Sequence, residues 1–384
     1  MAHLKIRNIG LVSSVDIELN KVNVIIGPQS SGKSTICKIA CFCSWVEKKA
    51  SRMQDYDFFL KDNTFYRRLV EFHKLHGYFN DKSYIEYESK TLKFSYNHAK
   101  KVPSFEWKDK QAFNMSKISY IPSERNLVSV IDNWFEVKFQ DNNIRNFMID
   151  WTDARTVHTR STSLSIIKEN NIQYYFDENN RRDIVVDNNG NILDLTNTSS
   201  GLQSIIPLKV VFEYLTKFIY QVNIGESVTD KVIEERLNKE NTSLEKMTKI
   251  QYTNLFIEEP EQNIFPETQC DLLYYFLEKI QTKDDHCLFF TTHSPYILLA
   301  LNNCMMGYLV KNRMPAEEQP ANRNSWIDPL KVSVYEITEE GTLKPIQNKE
   351  TRTIGKHYFN QIMNGIMSDY YDLLEYLDGE TNEK

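Results

Sequence analysis

The chain has 384 residues, of which 41% are hydrophobic and 12% aromatic, so it can fold around a sizeable core. Its formal net charge of −6 excludes a generally basic nucleic-acid-binding body, although a local basic patch stays compatible with it. The six cysteines form no CxxC pair, and no stretch resembles a signal peptide or a membrane span. We therefore expect a reduced, cytoplasmic protein that makes no contact with a membrane.

The first predicted elements are paired strands at residues 3–10 and 14–20, followed by a β-branched buried strand at residues 21–27. Residues 27–34, GPQSSGKS, fit the pattern G-x-x-x-x-G-K-[ST], a loop whose backbone N–H groups bind phosphate. Residues 34–49 are predicted to form a helix, so a bound phosphate would meet the positive end of the helix dipole. Strand, loop and helix in this order predict a nucleoside triphosphate site.

Two side chains of this loop have distinct expected roles. Lys33 should reach the β- and γ-phosphates, and Ser34 should bind Mg²⁺. The alternative, a chance glycine-rich turn, is disfavoured because the strand and the helix flank the loop in the required order.

The next segment is predicted to be helical first and then to form strands. Residues 35–80 are predicted to be mostly helical, whereas the alternating pattern of residues 78–97 predicts a hairpin. A short strand is predicted at residues 117–122, and Pro122 ends it.

The middle of the chain is predicted to mix helices with a second hairpin. Residues 126–170 lack clean alternation and are predicted to form helices joined by loops. Residues 172–196 are predicted to form a hairpin that turns at Asn-Asn-Gly, residues 188–190. A helix is expected from Ser200 onward, and the charged residues 228–249 are expected to form a solvated helical excursion.

A small polar turn, residues 197–204, opens the helix that begins at Ser200. This turn and Gly201 offer an anion a helix N-terminus and a hydroxyl group. Ser-Ser-Gly is also common in ordinary helix caps, so this pattern alone is a weak indication of a site.

Two carboxylates follow an apolar strand that is predicted at residues 255–257. Open α/β sheets bind ligands at the carboxyl ends of their strands, which is where Glu258 and Glu259 fall. Glu258 is expected to hold Mg²⁺ through its water shell, and Glu259 to polarise the water that attacks the γ-phosphate. Taken alone, the segment fits an exposed acidic turn about equally well, but the phosphate loop favours the catalytic interpretation.

Another apolar strand, residues 287–290, leads to His293, after which Ser294 and Pro295 begin a helix. An imidazole at a strand end beside the phosphate loop can hydrogen-bond the γ-phosphate and sense its loss. A lone histidine is more often structural, but the strand-end position of His293 matches that of the two carboxylates.

In this order, the motifs resemble those of the ATP-binding cassette (ABC) superfamily, in its branch of SMC-like, AAA-type ATPases. GPQSSGKS resembles the Walker A motif, SSGLQ (199–203) the signature motif and LFIEE (255–259) the Walker B motif. EEPE (258–261) and TTHSPYIL (291–298) are most specific to ATPases of the OLD and RecF types. The resemblance runs from residue 3 to about residue 300.

The resemblance implies an α/β fold, namely an ABC-type P-loop ATPase head with a mixed or parallel core sheet, an antiparallel β region and a helical lobe. Residues 1–125 and 251–384 would form one discontinuous ATPase core lobe, and residues 126–250 a helical lobe that carries the signature and a hairpin. Heads of this type dimerise head to head or form larger assemblies. ATP would then lie between the Walker A motif of one subunit and the signature motif of the other.

By the same resemblance, the cofactors are ATP and Mg²⁺, the catalytic residues are Glu259 and His293, and the metal ligands are Ser34, Glu258 and Glu124. Glu124 stands in for a glutamine that lines the metal in this family, because no glutamine occupies that place cleanly. The ATP-binding residues would come from the loop and the signature: Gly27, Pro28, Gln29, Ser30, Ser31, Gly32, Lys33, Ser34, Thr35, Ser199, Ser200, Gly201 and Gln203.

The sequence departs from the family pattern in three places. Gln29 stands where the family often has Asn, Leu202 replaces a common Gly, and Phe265 with Pro266 replaces a frequent His-Pro. None of these changes removes a phosphate or metal contact, but Leu202 weakens the match to the signature motif.

The chain has the features of a head without an effector. SMC proteins insert long coiled coils between the ATP motifs, and OLD-type nucleases append an acidic metal-binding domain; neither feature is recognisable here. We therefore expect an ATPase that controls a separately encoded nuclease or toxin, similar to the stand-alone ATPases of Septu-type and PARIS-type anti-phage systems. The expected docking surfaces for that effector are residues 126–170, residues 228–249 and about the last 80 residues.

The alternative is a RecF-like repair or recombination ATPase with ATP-gated DNA binding. The acidic composition and the lack of a clear basic stripe weigh against this alternative, although DNA binding stays open. A transporter's ATPase is a third and weaker interpretation, because EEPE replaces the usual Asp-Glu and no membrane segment flanks the motifs.

Overall fold

The computed structural model describes the main part of the chain, namely residues 2–110, 112, 115–131, 134–167, 170–221 and 249–379. The charged excursion predicted at residues 228–249 therefore lies outside the described residues, except for its last position. The strands, in chain order, are β1 (Ala2–Ile9), β2 (Val12–Leu19), β3 (Val22–Ile26), β4 (Phe79–Glu88), β5 (Leu92–Asn97), β6 (Pro103–Trp107), β7 (Ser116–Ile121), β8 (Leu164–Ile167), β9 (Ile172–Asp177), β10 (Arg182–Val186), β11 (Ile192–Asp194), β12 (Tyr252–Glu258), β13 (Cys287–Thr292), β14 (Val332–Ile337) and β15 (Leu343–Pro345).

Within the described residues, the helices confirm those predicted after the phosphate loop, from Ser200 and after His293, and one more helix follows the acidic motif. The predicted helix after the phosphate loop is α1, and the helix predicted from Ser200 is α6, which continues as a π-helical turn over Tyr214–Phe218. The helices are α1 (Lys33–Met53), α2 (Asp57–Leu60), α3 (Thr64–His73), α4 (Leu127–Val130), α5 (Asn143–Arg155), α6 (Ser200–Glu213), α7 (Pro266–Ile280), α8 (Pro295–Val310) and α9 (Tyr358–Gly379).

The central sheet has six strands in the order β15-β14-β3-β13-β12-β7. Strands β14, β3, β13, β12 and β7 run parallel to their neighbours, and β15 pairs antiparallel with β14. All five residues of β3 are buried, as expected of a parallel strand that is covered on both faces. Because β3, β13, β12 and β7 are parallel, their carboxyl ends lie side by side at one edge of the sheet.

The two faces of the central sheet bury two different hydrophobic cores. Along β12, Leu255 and Ile257 pack into one core with Trp151 of α5, whereas Phe256 packs into the other with Phe42 of α1. This alternation is the period of two that a strand imposes on its side chains. The β12 strand therefore connects both cores, and its end cannot move without disturbing them.

The first antiparallel sheet confirms two sequence predictions. Its order is β2-β1-β4-β5-β6, in which β1 and β2 are the predicted strand pair and β4 and β5 the predicted hairpin of residues 78–97. Its buried side chains, among them Ile6, Ile85 and Phe94, join the same core as α1. This sheet therefore supports the α1 side of the phosphate loop.

The second antiparallel sheet corrects the prediction of a single hairpin at residues 172–196. That segment forms three strands, and β8 completes a sheet of order β11-β10-β9-β8. The Asn-Asn-Gly turn joins only β10 to β11. A second turn joins β9 to β10, because the Asp177 carboxylate accepts hydrogen bonds from the backbone N–H groups of Asn179 (3.1 Å) and Asn180 (3.4 Å).

Strand β8 also corrects the prediction of helices and loops alone for residues 126–170. The short apolar run Leu164–Ile167 gives no decisive periodicity, and its pairing with β9 determines its conformation. The fold class is nevertheless confirmed. The described residues form an α/β structure with a mixed, mainly parallel central sheet, antiparallel sheets and packed helices.

Candidate nucleotide site

The phosphate loop has positive φ angles at three positions, two of which are glycines. Gly27 has a φ of 148° and Gly32 a φ of 102°, and between them Ser30 has a φ of 55°. A Cβ atom added at Gly27 would lie 2.4 Å from Cγ2 of Ile337, so a larger residue would clash there. The loop therefore keeps its backbone close to β14 and forms a concave turn of the kind that binds phosphate.

Helix α1 begins directly at the end of this loop. Gly32 caps the helix, and its carbonyl oxygen accepts the first helical hydrogen bond, from the N–H of Ile36 at 3.1 Å. The first turn contains no acidic residue that would neutralise the positive end of the helix dipole. The N-terminus of α1 is therefore available to an anion.

Lys33 lies inside the turn and is only 4% exposed. Its Nζ donates to the carbonyl oxygens of Gly27 at 2.9 Å and Pro28 at 2.5 Å. Burial lowers the pKa of Lys33 to about 8, while the nearby carboxylates of Glu259 and Glu261 partly oppose this shift. An anionic phosphate would stabilise the charged ammonium that burial disfavours.

Glu258 is buried at the end of β12 and is held by groups from β7, from the turn after β7 and from α1. Its carboxylate accepts hydrogen bonds from the hydroxyl of Tyr120 and from Oγ of Ser123 at 3.3 Å. Lys38 of α1 forms an ion pair with it at 3.6 Å. Sequence reasoning missed Tyr120 and Lys38, although Lys38 lies four residues after Ser34 and so one helical turn further along α1.

Glu259 and His293, the two predicted catalytic residues, lie together. Their Oε1 and Nε2 atoms are 3.4 Å apart, and Glu259 donates its backbone N–H to the Thr291 carbonyl oxygen at 3.0 Å. The hydrogen bond from His293 and the charges of His293, Lys33 and Arg125 hold the pKa of Glu259 below its usual range, although burial opposes them. Glu259 is therefore an ionised hydrogen-bond acceptor at neutral pH.

Arg125 is a functional residue that sequence reasoning missed. It is fully buried, and its two terminal nitrogens donate to the backbone carbonyl oxygens of Glu258 (2.9 Å) and Glu259 (2.7 Å). Burial lowers the pKa of Arg125 to about 10, so the guanidinium still carries its charge at neutral pH. The signal in the sequence was its position just after the end of β7, the neighbour of β12.

The side chain of Glu261 holds the backbone of His293 in place. Its Oε1 accepts a hydrogen bond from the His293 N–H at 2.5 Å, and burial raises the pKa of Glu261. The third acid of the EEPE sequence therefore links the end of β12 to the end of β13.

Glu124 is exposed near the carboxylate of Glu258. The hydroxyl of Ser123 lies 3.1 Å from a carboxylate oxygen of Glu124 and 3.3 Å from one of Glu258. The Ser123 hydroxyl therefore lies between the carboxylates of Glu124 and Glu258. The role of Glu124 as a metal ligand stays a prediction.

The signature segment lies at the start of α6, where its hydrogen bonds are local. Ser199 caps the helix by accepting from the Leu202 N–H at 3.4 Å, and Gln203 donates to the Thr196 carbonyl oxygen at 2.8 Å. A Cβ atom added at Gly201 would lie 3.0 Å from the carbonyl oxygen of Asn263. Within the described residues, no hydrogen bond joins these residues to the phosphate loop.

The oxygen donors present suit Mg²⁺ only if the nucleotide completes its coordination. The Ser34 hydroxyl and the Glu258 carboxylate are hard oxygen donors of the kind that Mg²⁺ prefers. Among the described ranges, no group of three or more His, Cys, Asp or Glu side chains is arranged to hold a metal ion. Phosphate oxygens and water would have to supply the remaining ligands.

Within the part of the chain that the structure describes, no helix combines the length and the apolar character that crossing a bilayer requires.

No protein-family model matches the sequence, and no curated protein matches it significantly. Similar solved structures include the SMC head domain from Thermotoga maritima, 9% identical over 90% of this chain and 98% of that chain, with a TM-score of 0.42. A Pyrococcus furiosus Smc head domain with an extended coiled coil, bound to the C-terminal domain of ScpA, is 7% identical over 96% and 100%, with a TM-score of 0.44. The recombination mediator protein RecF is 10% identical over 90% and 97%, with a TM-score of 0.35. At these values the function has to be argued from the site itself.

The pKa of Lys33 predicts how nucleotide affinity depends on pH. Below pH 8 the ammonium is present in the free protein; above pH 8 binding must first restore its proton, so affinity should fall. We expect the affinity for a fluorescent ATP analogue to fall by up to about tenfold per pH unit above pH 8. The matched variant Lys33→Arg stays charged, so its affinity, although lower, should be flat over this range. An equal decline in both proteins would exclude Lys33 as the titrating group.

Proposed function

We propose that the chain is an ATP-binding and ATP-hydrolysing head of the ABC and SMC type. One observation carries this proposal. The parallel strands β3, β13 and β12 end side by side, and their ends bear the phosphate loop, His293 and the pair Glu258 and Glu259. A phosphate cradle, a buried carboxylate and an ionised carboxylate at one sheet edge are the components of a P-loop ATPase.

In this proposal, each element of the site has one task. The N–H groups of the loop and the N-terminus of α1 bind the phosphates, and Lys33 neutralises the β- and γ-phosphates. Ser34 and Glu258, with Glu124 at the rim, would hold Mg²⁺, which neutralises charge on the phosphates when bound. Tyr120, Lys38 and Ser123 fix the Glu258 carboxylate for that task; they are positioning groups.

Hydrolysis would use the ionised carboxylate of Glu259. This group accepts a proton from a water molecule as the water oxygen bonds to the γ-phosphorus and the bond to the ADP oxygen breaks. His293, at 3.4 Å from Glu259, orients that carboxylate and can donate to the γ-phosphate. Arg125 and Glu261 hold the two catalytic groups in place from the buried side.

We further propose that two copies form head-to-head ATP sites. Within the described part of one chain, the signature residues make no hydrogen bond to the phosphate loop; these residues are Ser199, Ser200, Gly201 and Gln203. Their helix, α6, starts at the surface. Phe265, beside this segment, is 72% exposed. A second subunit could therefore offer this helix N-terminus to the γ-phosphate. The division into a core lobe (1–125 and 251–384) and a signature lobe (126–250) belongs to the same proposal.

For the biological role, we propose a cytoplasmic sensor or regulatory ATPase of a bacterial anti-phage or toxin-like system, acting on a separate effector. What supports this role is the apolar surface of the segment 126–170, which the ATP site does not use. Large hydrophobic side chains there are between 40% and 62% exposed: Val130, Ile131, Phe135, Val137 and Ile149. Where exposed apolar side chains form a contiguous patch, that patch marks an interaction site, and these residues are the candidates for one.

The first test concerns the ATP site. Lys33→Ala should abolish measurable ATP binding or turnover, because it removes the charge from the phosphate cradle. Glu259→Gln should retain binding but hydrolyse ATP about 10²- to 10⁴-fold more slowly, because an amide cannot accept the proton. Binding is measured by fluorescence titration and turnover by phosphate release with magnesium. The control Glu278→Gln changes an exposed glutamate of α7 and should leave both unchanged. Wild-type turnover in Glu259→Gln would remove that residue from catalysis.

The second test concerns the shared site. Ser200→Arg should abolish hydrolysis while ATP still binds to the single subunit, because the bulky cation blocks the contact across the interface. Mixed with Lys33→Ala protein, it forms some dimers in which one site carries both defects and the other carries neither. Phosphate release should then recover in part. A mixture without activity, together with wild-type turnover independent of protein concentration, would indicate a site complete within one chain.

The third test separates the defence role from a RecF-like role. Co-expression with the product of the neighbouring gene should give a stable complex, and only the complex should be toxic or degrade nucleic acid. Phe135→Asp and Ile149→Asp should weaken that complex without changing ATP turnover. ATP-dependent binding of gapped DNA by the chain alone would favour the RecF-like alternative. The chain alone could instead cut DNA or RNA with magnesium, in a reaction that changes outside the ATP motifs abolish. That result would exclude a separate effector.

A further inference from the structure

Helix α9 is anchored at its start and exposed along the rest of its length. Glu336 accepts a hydrogen bond from the Tyr358 N–H at 2.9 Å, and Phe359 packs against the hydrophobic core. Residues 361–373 are all exposed. In proteins most of the stability of a helix comes from packing of an apolar face, and Gly365 in the middle of α9 lowers its intrinsic stability.

The exposed side of α9 is strongly apolar. Nine of its large hydrophobic side chains are between 40% and 80% exposed: Ile362, Met363, Ile366, Met367, Tyr370, Tyr371, Leu373, Tyr376 and Leu377. With ordinary side-chain areas they present roughly 800 Å² of apolar surface, about what one side of a stable protein interface buries. Single exposed apolar residues are ordinary, but a continuous stripe of this size indicates a partner.

The spacing of these residues specifies what kind of partner fits. From Phe359, the apolar positions recur alternately four and three residues apart, at Met363, Ile366, Tyr370, Leu373 and Leu377. This is the heptad repeat, whose 3.5-residue period keeps one seam of a helix facing another helix in a coiled coil.

The charges of α9 are compatible with a second copy of the same helix. Asp372 and Glu375 fall at the c and f positions of the heptad, on the side away from the seam, and only Asp369 borders the seam at a g position. Like charges on two copies would therefore lie far apart. The neighbouring e and g positions are mostly apolar, with Met367, Leu374 and Tyr376, and they widen the seam.

We propose that α9 is a self-association element that pairs with α9 of a second copy as a short coiled coil. This contact would not need ATP, so it is distinct from the head-to-head interface of the proposed function and does not depend on it. It would keep two heads at a high local concentration before nucleotide binds. It would also take the seam of α9 out of reach of an effector, leaving the segment 126–170 for that contact.

The test uses the full-length chain without nucleotide, in a Lys33→Ala background that removes any ATP-driven dimer. Size-exclusion chromatography with light scattering at micromolar concentration should give the mass of two chains. Ile366→Glu with Leu373→Glu, which places two charges in the seam, should halve that mass. The matched variant Asn364→Glu with Ser368→Glu adds the same two charges at b and f positions and should stay dimeric. Near-UV circular dichroism should show the same folded head in all three proteins, because the changed side chains are exposed.

Two results would overturn the proposal. A monomeric Lys33→Ala protein at these concentrations would mean that the seam is left for a different protein. A dimer that persists after Ile366→Glu with Leu373→Glu would place the nucleotide-free interface elsewhere.

Discussion

The site depends on one buried cation. The Arg125 guanidinium donates to the backbone carbonyl oxygens of Glu258 and Glu259, and it is fully buried where these two residues leave the sheet. Glu259 has a φ of 43°, a left-handed conformation that is costly for a residue with a side chain. Two charge-assisted hydrogen bonds offset that cost and hold the turn. One carboxylate is thereby directed to Tyr120 and Lys38 and the next to His293.

The parallel sheet makes this arrangement possible. Strand β12 lies between β7 and β13, so Arg125, the two carboxylates and His293 come from the ends of adjacent strands. Strand β3 is next to β13 and delivers the phosphate loop to the same edge. Each strand is covered on both faces, which prevents a shift of register that would separate these groups. The fold therefore positions the site through the order of its strands.

The elements that sequence reasoning predicted well have strong local signals. The phosphate loop, α1, β12 and β13 combine a clear apolar run with a motif, and the hairpin of β4 and β5 alternates cleanly. The errors fell where two signals competed. In residues 172–196 the Asn-Asn-Gly turn predicts one hairpin, but a second turn at Asp177 divides the segment into three strands. The short β8 is a strand only because it pairs with β9. Arg125 and the contact of Glu261 with His293 were missed, because the groups that Arg125 and Glu261 bind lie far away in sequence and belong to the backbone.

The sequence by itself determined the local parts of this protein. Gly27 and Gly32 permit the backbone of the phosphate loop, Lys33 supplies its charge, and two carboxylates directly follow a strand. The tertiary structure alone decided what those carboxylates contact. Tyr120 and Arg125 are more than a hundred residues from Glu258 along the chain, and strand pairing brings them to it. Hydrogen bonds act over about 3 Å of space, and sequence patterns record neighbours along the chain.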